Sequence, residues 1–248
     1  MTGGRGGAGS IRRKSFEERL GQPVIVVHIG LKKSGSASIQ SFLSANEDSL
    51  RGLGVDYPRL GRSKRKAHHQ FANEIQGRRK FDAGAGTLSQ LGDYWRGTSG
   101  RVMILSSEMF EECETAEAAR LRDILGRGQD AFRIVLVLRD LVELMPSSYA
   151  QKVKYGLKTY NFDSFFNERI GHRRVNYFET ASRWAEAFGW ESMQIRLLDP
   201  RYLLNGDLID DFMNLIGLEP SSAITGRLER VGVWRNRDSR IAGVLIQP

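Results

Sequence analysis

The sequence predicts an α/β fold of three layers, a central and mostly parallel sheet flanked by helices. Three observations predict it. Val24 to Ile29 is an unbroken apolar run rich in β-branched residues, as in a strand buried on both faces. A loop rich in Gly and Ser follows, and Ile39, Phe42 and Leu43 then fall at helical spacing. Phe132 to Leu138 repeats the buried-strand pattern and ends in Arg139 and Asp140. Strand, glycine loop and helix in that order aim backbone N–H groups and the positive end of a helix dipole at one point, which suits an anion. The domain is therefore expected to be P-loop-like.

Residues 1–22 begin with Gly-rich low complexity and continue through Ile11-Arg12-Arg13-Lys14, and are expected to form a disordered basic arm. Residues 23–248 form the domain. After the loop, Ser38 to about Arg51 is expected as a helix ended by Gly52 or Gly54. Val55 to Pro58 reads as a short strand stopped by proline. A basic loop, Arg59 to Lys66, leads to His68 and His69. As metal ligands the pair is poor, because neighbours on a helix diverge by about 100° and no third ligand is near in sequence. Either imidazole could serve as a general base or simply pack the start of a helix. Lys64, Arg65 and Lys66 would push both pKa values down.

Residues 76 to 100 are polar, with one amphipathic helix through Leu88, Leu91 and Trp95, and read as a mobile excursion facing a substrate. Arg101 to Glu108 is the next strand, with Ser106, Ser107 and Glu108 at its carboxyl end, where open parallel sheets bind ligands. Glu108 could be a base, could orient a histidine, or could sit in a helix first turn capped by serine. Arg139 ends the strongest strand, and Ser147 lies eight residues on, along a helix from about Val142. Guanidinium forks a phosphate bidentately and a hydroxyl can fill another oxygen; the alternative is a surface pair with Asp140 or Glu143. Asn161 to Trp190 reads as a helical connection with Trp184 in the core, Met193 to Leu198 as a last strand, and Leu208 to Ile216 as a helix ended by Gly217.

The net charge of +8 favours anionic ligands, but no basic stretch interleaved with aromatics marks a nucleic-acid binder. Cys113 is the one cysteine, which excludes a disulfide framework, and its acidic neighbours mark it as inert. With no run able to span a bilayer and no apolar leader, a cytoplasmic protein is expected. The chain stops soon after a final helix begins, so a truncated C-terminus is also expected.

Against the triphosphatase motif G-x-x-x-x-G-K-[ST], Gly30 and Gly35 stand correctly, but Ser36 replaces the Lys and Ala37 the metal-binding hydroxyl. The lysine lies inside the loop, as Lys32 or Lys33, beside one phosphate. The stretch from His28 to Gln40 resembles the 5′-phosphosulfate loop of the sulfotransferases, which bind 3′-phosphoadenosine 5′-phosphosulfate. Bacterial members often read H-I-G-x-x-K-T-G-T-T-x-I-Q; His28, Ile29, Gly30, Lys33, Gly35, Ile39 and Gln40 match, Ser34 and Ser36 keep a hydroxyl, and Ala37 does not. The resemblance covers about residues 22 to 240.

It implies that Lys33, Ser34, Gly35, Ser36, Ala37 and Ser38 hold the 5′-phosphate of the donor, and Arg139 and Ser147 its 3′-phosphate. Arg235 and Asn236 would add a second clamp. Lys33 would act on the leaving oxygen, and His68, His69 or Glu108 would be the base, without a metal. The acceptor expected from the polar loops is a carbohydrate or glycolipid hydroxyl, or in second place an amine, with no nucleic-acid partner. The competing readings are a nucleotide-dependent kinase, disfavoured by Ser36 and Ala37, and a catalytically silent nucleotide-binding protein.

Overall fold

Five strands, each parallel to its neighbours, make one sheet in the computed structural model, which describes residues 22–62, 66–126, 131–156, 161–171, 175–218 and 228. They are β1 (Val24–His28), β2 (Val55–Asp56), β3 (Val102–Ser106), β4 (Ala131–Leu138) and β5 (Met193–Leu197), in the order β2-β3-β1-β4-β5. The described helices are α1 (Ser36–Ala45), α2 (Glu47–Gly52), α3 (His69–Ile75), α4 (Leu88–Gly97), α5 (Thr115–Leu125), α6 (Leu141–Lys154), α7 (Phe162–Ile170), α8 (Tyr177–Phe188) and α9 (Leu208–Leu215).

All five residues of β1 are buried because the sheet is covered on both faces. Ile25, Val27, Ile134 and Leu136 point to one side and join a core built with α3, α4, α5 and α8. Val24, Val26, Val135 and Val137 point to the other and join α1, α2 and α9. This is the three-layer α/β arrangement expected from the buried runs.

Register decides what meets above the sheet. His28 pairs with Ser106 on one side and with Val135 on the other. β1 and β3 therefore end level, whereas β4 continues three residues further, to Leu138, and lifts Arg139 over the loop that leaves β1. The connection from β1 runs toward β2 and that from β4 toward β5, so the switch point of the sheet lies between β1 and β4.

Two expectations are corrected. The helix after the loop starts at Ser36 and breaks at Asn46, whose side-chain amide donates to the Phe42 carbonyl at 2.8 Å and competes with the helical ladder. The stretch from 76 to 100 is no excursion: Thr87 and Gln90 form a capping box for α4, and Leu88, Leu91 and Trp95 are fully buried against the same core as β1. Helix α5, absent from the pattern reading, packs with α4 and α8. Trp184 is core, as its spacing implied. Cys113 is buried, and burial more than its acidic neighbours pushes its thiol up to about 12. Among the described residues no helix is long and apolar enough to cross a membrane. The arm to residue 21, the basic residues Lys64 and Arg65, and the clamp residues Arg235 and Asn236 lie outside the described residues.

Candidate active site

The loop leaving β1 is shaped by three residues of positive φ, Gly30, Lys33 and Gly35. A Cβ on Gly30 would stand 2.7 Å from Glu108 Cα, so glycine is what lets the segment after β3 lie directly against the loop. At Gly35, φ is 81° and a Cβ would meet Leu208 of α9 at 2.4 Å. Gly35 also precedes α1 without a side-chain cap, which leaves the first amides of the helix aimed into the loop. Lys33 holds its left-handed conformation without glycine's freedom, at a cost of about 1 kcal/mol. Ser34 is fully buried, and its Oγ has no hydrogen-bond partner.

The two loop lysines differ. Lys32 Nζ pairs with Glu112 Oε1 at 3.4 Å, and its backbone N–H donates to Glu111 Oε2 at 3.3 Å. Lys33 makes no ion pair among the described residues and is exposed. Its carbonyl accepts from Arg139 Nη1 at 3.3 Å, while Arg139 Nε donates to Glu143 Oε2 at 3.4 Å. The anticipated pair with Glu143 thus exists, but the guanidinium is buried and also grips the loop. Tyr177 at the start of α8 donates to the Arg139 carbonyl at 2.7 Å, and Asp140 caps α6. Ser147 is buried on α6, two turns along.

Across the loop, β3 delivers the polar triplet. Ser107 accepts from Met109 N–H at 3.2 Å and caps a short 3₁₀ turn, Glu108–Glu112, so Glu108 lies in a first turn and beside the loop at once. Gln40 of α1 donates to Glu108 Oε2 at 3.1 Å and to Ser106 Oγ at 3.2 Å, and Ser106 Oγ shares a 2.8 Å hydrogen bond with His28 Nδ1. Burial works to raise the Glu108 pKa, but the Gln40 amide, its own backbone N–H and nearby His69 and His28 outweigh it and hold the carboxyl below its ordinary range. His28 is fully buried, and burial lowers its pKa to about 4 against the pull of Glu108.

The adjacent histidines part company. His68 is fully buried, edge-on to Tyr57 and stacked on Phe71. Its Nδ1 accepts from the Ser106 N–H at 3.1 Å and its Nε2 donates to the Pro58 carbonyl at 3.0 Å. Burial is the main cause of a pKa lowered to about 3; the Pro58 and Ser106 hydrogen bonds oppose it, and Arg62 and His69 add to the lowering. His69 instead faces Glu108, its Nε2 3.7 Å from Oε1 and its Nδ1 2.8 Å from Ser107 Oγ.

The structure thus gathers Lys33, Arg139, Glu108 and His69 around one loop and turns His68 into the core. Pattern reading assigned no role to Gln40 or Tyr177. Gln40 left a signal, a buried polar residue on the apolar stripe of α1 beside Ile39.

Fold and site together define an α/β protein with a glycine loop and a helix N-terminus at the sheet's switch point and a carboxylate–imidazole pair beside it. No family model and no curated protein matches the chain. Among solved structures it is similar to a sulfotransferase from Alicyclobacillus acidocaldarius, with 18% identity, a TM-score of 0.47 and 89% of each chain covered. A mouse sulfotransferase, SULT7A1, complexed with PAP matches at 12% identity and a TM-score of 0.40, over 92% of this chain and 69% of the other. A retinol dehydratase in complex with androsterone and inactive cofactor PAP matches at 16% identity and a TM-score of 0.35, over 90% of this chain and 64% of the other.

Proposed function

We propose that this chain is a cytoplasmic sulfotransferase that moves a sulfuryl group from 3′-phosphoadenosine 5′-phosphosulfate to a carbohydrate hydroxyl, or in second place an amine. The observation that carries the reading is the contact of Arg139 with the Lys33 carbonyl. It sets a buried guanidinium beside a phosphate loop, a pairing that suits a nucleotide with phosphates at both its 5′ and 3′ positions.

The residues fit that donor. The loop amides and the unpartnered Ser34 hydroxyl suit the 5′-phosphate, and Arg139 with Ser147 suits the 3′-phosphate. Ser36 and Ala37 leave no lysine or hydroxyl where a metal–triphosphate site needs them. When bound, the donor supplies the sulfuryl group. Lys33, free of ion pairs among the described residues, offsets charge gathering on the leaving oxygen.

Glu108 is the base in this reading. Its carboxyl stays ionised, because its pKa is depressed, and so can accept a hydroxyl proton. Ser107 Oγ accepts from Met109 N–H and, in this reading, gives its own proton to His69 Nδ1. That places the imidazole proton on Nε2, toward Glu108, and makes His69 the group that orients the carboxylate. His68, with both nitrogens engaged, supports the fold.

Calorimetry with adenosine 3′,5′-bisphosphate and with ATP·Mg²⁺, followed by transfer from labelled donor to a panel of sugars, tests the reading. Binding of the bisphosphate with transfer supports it. Preference for ATP·Mg²⁺ would indicate a kinase, and bisphosphate binding without transfer to any acceptor a silent binder.

A further inference from the structure

Beside the loop, between one side of α6, α7 and the first residue of α8, lies a cavity of about 210 Å³. Its wall includes Lys33 from the loop, Glu111 from the turn that begins at Glu108, Gln151 and Lys152 from α6, and Phe165 and Arg169 from α7. Phe165 is fully buried, with Lys152 Nζ 5.3 Å and the Arg169 guanidinium carbon 5.6 Å from its ring centroid. Arg169 Nε is buried without a hydrogen-bond partner. Arg169 also makes no ion pair among the described residues.

The Arg169 side chain is partly exposed, but its Nε is withdrawn from water without an acceptor, which is costly, and stacking over a ring returns only part of the loss. Gln151 supplies neutral polarity, and among the described residues Glu111 is the one carboxylate in the wall, with its Oε2 held by the Lys32 N–H. Among the described residues, four cations, Lys32, Lys33, Lys152 and Arg169, against one carboxylate leave the wall positive. The volume accommodates about one sugar ring or less. Ser148 rather than Ser147 lines it, and since neighbours on a helix diverge by about 100°, the cavity and the serine assigned to the donor lie on different sides of α6.

We infer that this cavity is an acceptor subsite that takes an anionic group, a carboxylate or a sulfate ester, on the sugar being modified, with Arg169 as its specificity-determining residue. The inference rests on the proposed sulfotransferase reading for the word acceptor, but not for the anion. An acidic residue of the acceptor seated on Arg169 lies along the wall that also carries Lys33, and the turn that carries Glu111 begins at the proposed base.

The test separates the two. Binding of methyl glucuronide, glucose 6-sulfate and neutral methyl glucoside to the full chain is measured by ligand-observed NMR, without donor, for the unaltered protein, Arg169→Gln and Arg169→Lys. The anionic sugars are expected to bind and the glucoside not, with the stronger of the two anions identifying the group. Arg169→Gln is expected to weaken them roughly tenfold to a hundredfold and Arg169→Lys less, as for loss of a charge-assisted contact. Unchanged melting temperatures and unchanged affinity for adenosine 3′,5′-bisphosphate identify the loss as local. Equal binding of charged and neutral sugars, no binding of any, or displacement of the glucuronide by the bisphosphate would overturn the subsite. Anion binding that depends on Arg169 in a protein that transfers no sulfuryl group would leave the subsite standing and sink the proposed function instead.

Discussion

Gln40→Leu isolates what one buried amide does for the carboxylate beside the loop. The side-chain volume is nearly kept, while the donor 3.1 Å from Glu108 Oε2 and 3.2 Å from Ser106 Oγ is lost. A hydrogen bond to a charged group contributes roughly 1.5–3 kcal/mol, and water reaching the partly exposed Glu108 side chain replaces some of it. A net loss near the lower figure is about a tenfold change in proton affinity. The amide donates to the ionised form, so removing it favours the protonated form and raises the Glu108 pKa. The acid limb of the turnover profile, measured with saturating donor and acceptor, should therefore move up by about one pH unit. Affinity for adenosine 3′,5′-bisphosphate should hold, because Gln40 faces β3 and not Arg139. A uniform drop in rate with the acid limb unmoved would refute the assignment of Glu108 as base or of Gln40 as its partner.

Arg139→Ala should weaken adenosine 3′,5′-bisphosphate by tens-fold in calorimetry, about 2–3 kcal/mol, and hardly change binding of the analogue lacking the 3′-phosphate; equal losses would make Arg139 a support for the Lys33 carbonyl alone. Lys33→Ala should cut turnover about a hundredfold or more with a smaller effect on donor affinity, whereas Lys32→Ala, which loses a largely exposed pair with Glu112, should be mild. His68→Ala should cost on the order of 3 kcal/mol in denaturant unfolding, since two buried hydrogen bonds and ring contacts with Tyr57 and Phe71 go, while His69→Ala should spare stability and impair transfer. His28 and His68 are buried with pKa values lowered to about 4 and about 3, so the unfolded chain binds more protons below its ordinary imidazole value near 6.5. Stability should thus be full above that pH and fall below it by about 1.4 kcal/mol per pH unit for each histidine until the folded values are reached; a flat urea midpoint between pH 6.5 and 4 would contradict their burial as neutral rings.

From the linear chain alone, the apolar runs at Val24 and Phe132 defined two interior strands, because a strand covered on both faces cannot alternate, and the spacing of Gly30, Gly35, Ile39 and Phe42 defined the glycine loop and the helix after it. Local chemistry also marked Lys33, Glu108 and Arg139 as candidates, since each stands at a strand end or inside the loop. What the chain could not disclose depended on register and packing. That Arg139 touches the loop follows from β4 running three residues past the pairing of His28 with Val135, a fact of the sheet. That His68 packs inward while His69 meets Glu108 follows from where α3 begins over the end of β3, because adjacent side chains on a helix diverge by about 100° and only tertiary contact chooses which one is buried. The polar stretch around Trp95 read as an excursion facing a substrate until α5 covered it, and Gln40 became a partner of Glu108 only once α1 lay against β3. Periodicity is a one-dimensional signal that survives in the sequence, whereas the meeting of residues 28, 33, 40, 108 and 139 exists only after the strands have chosen their neighbours.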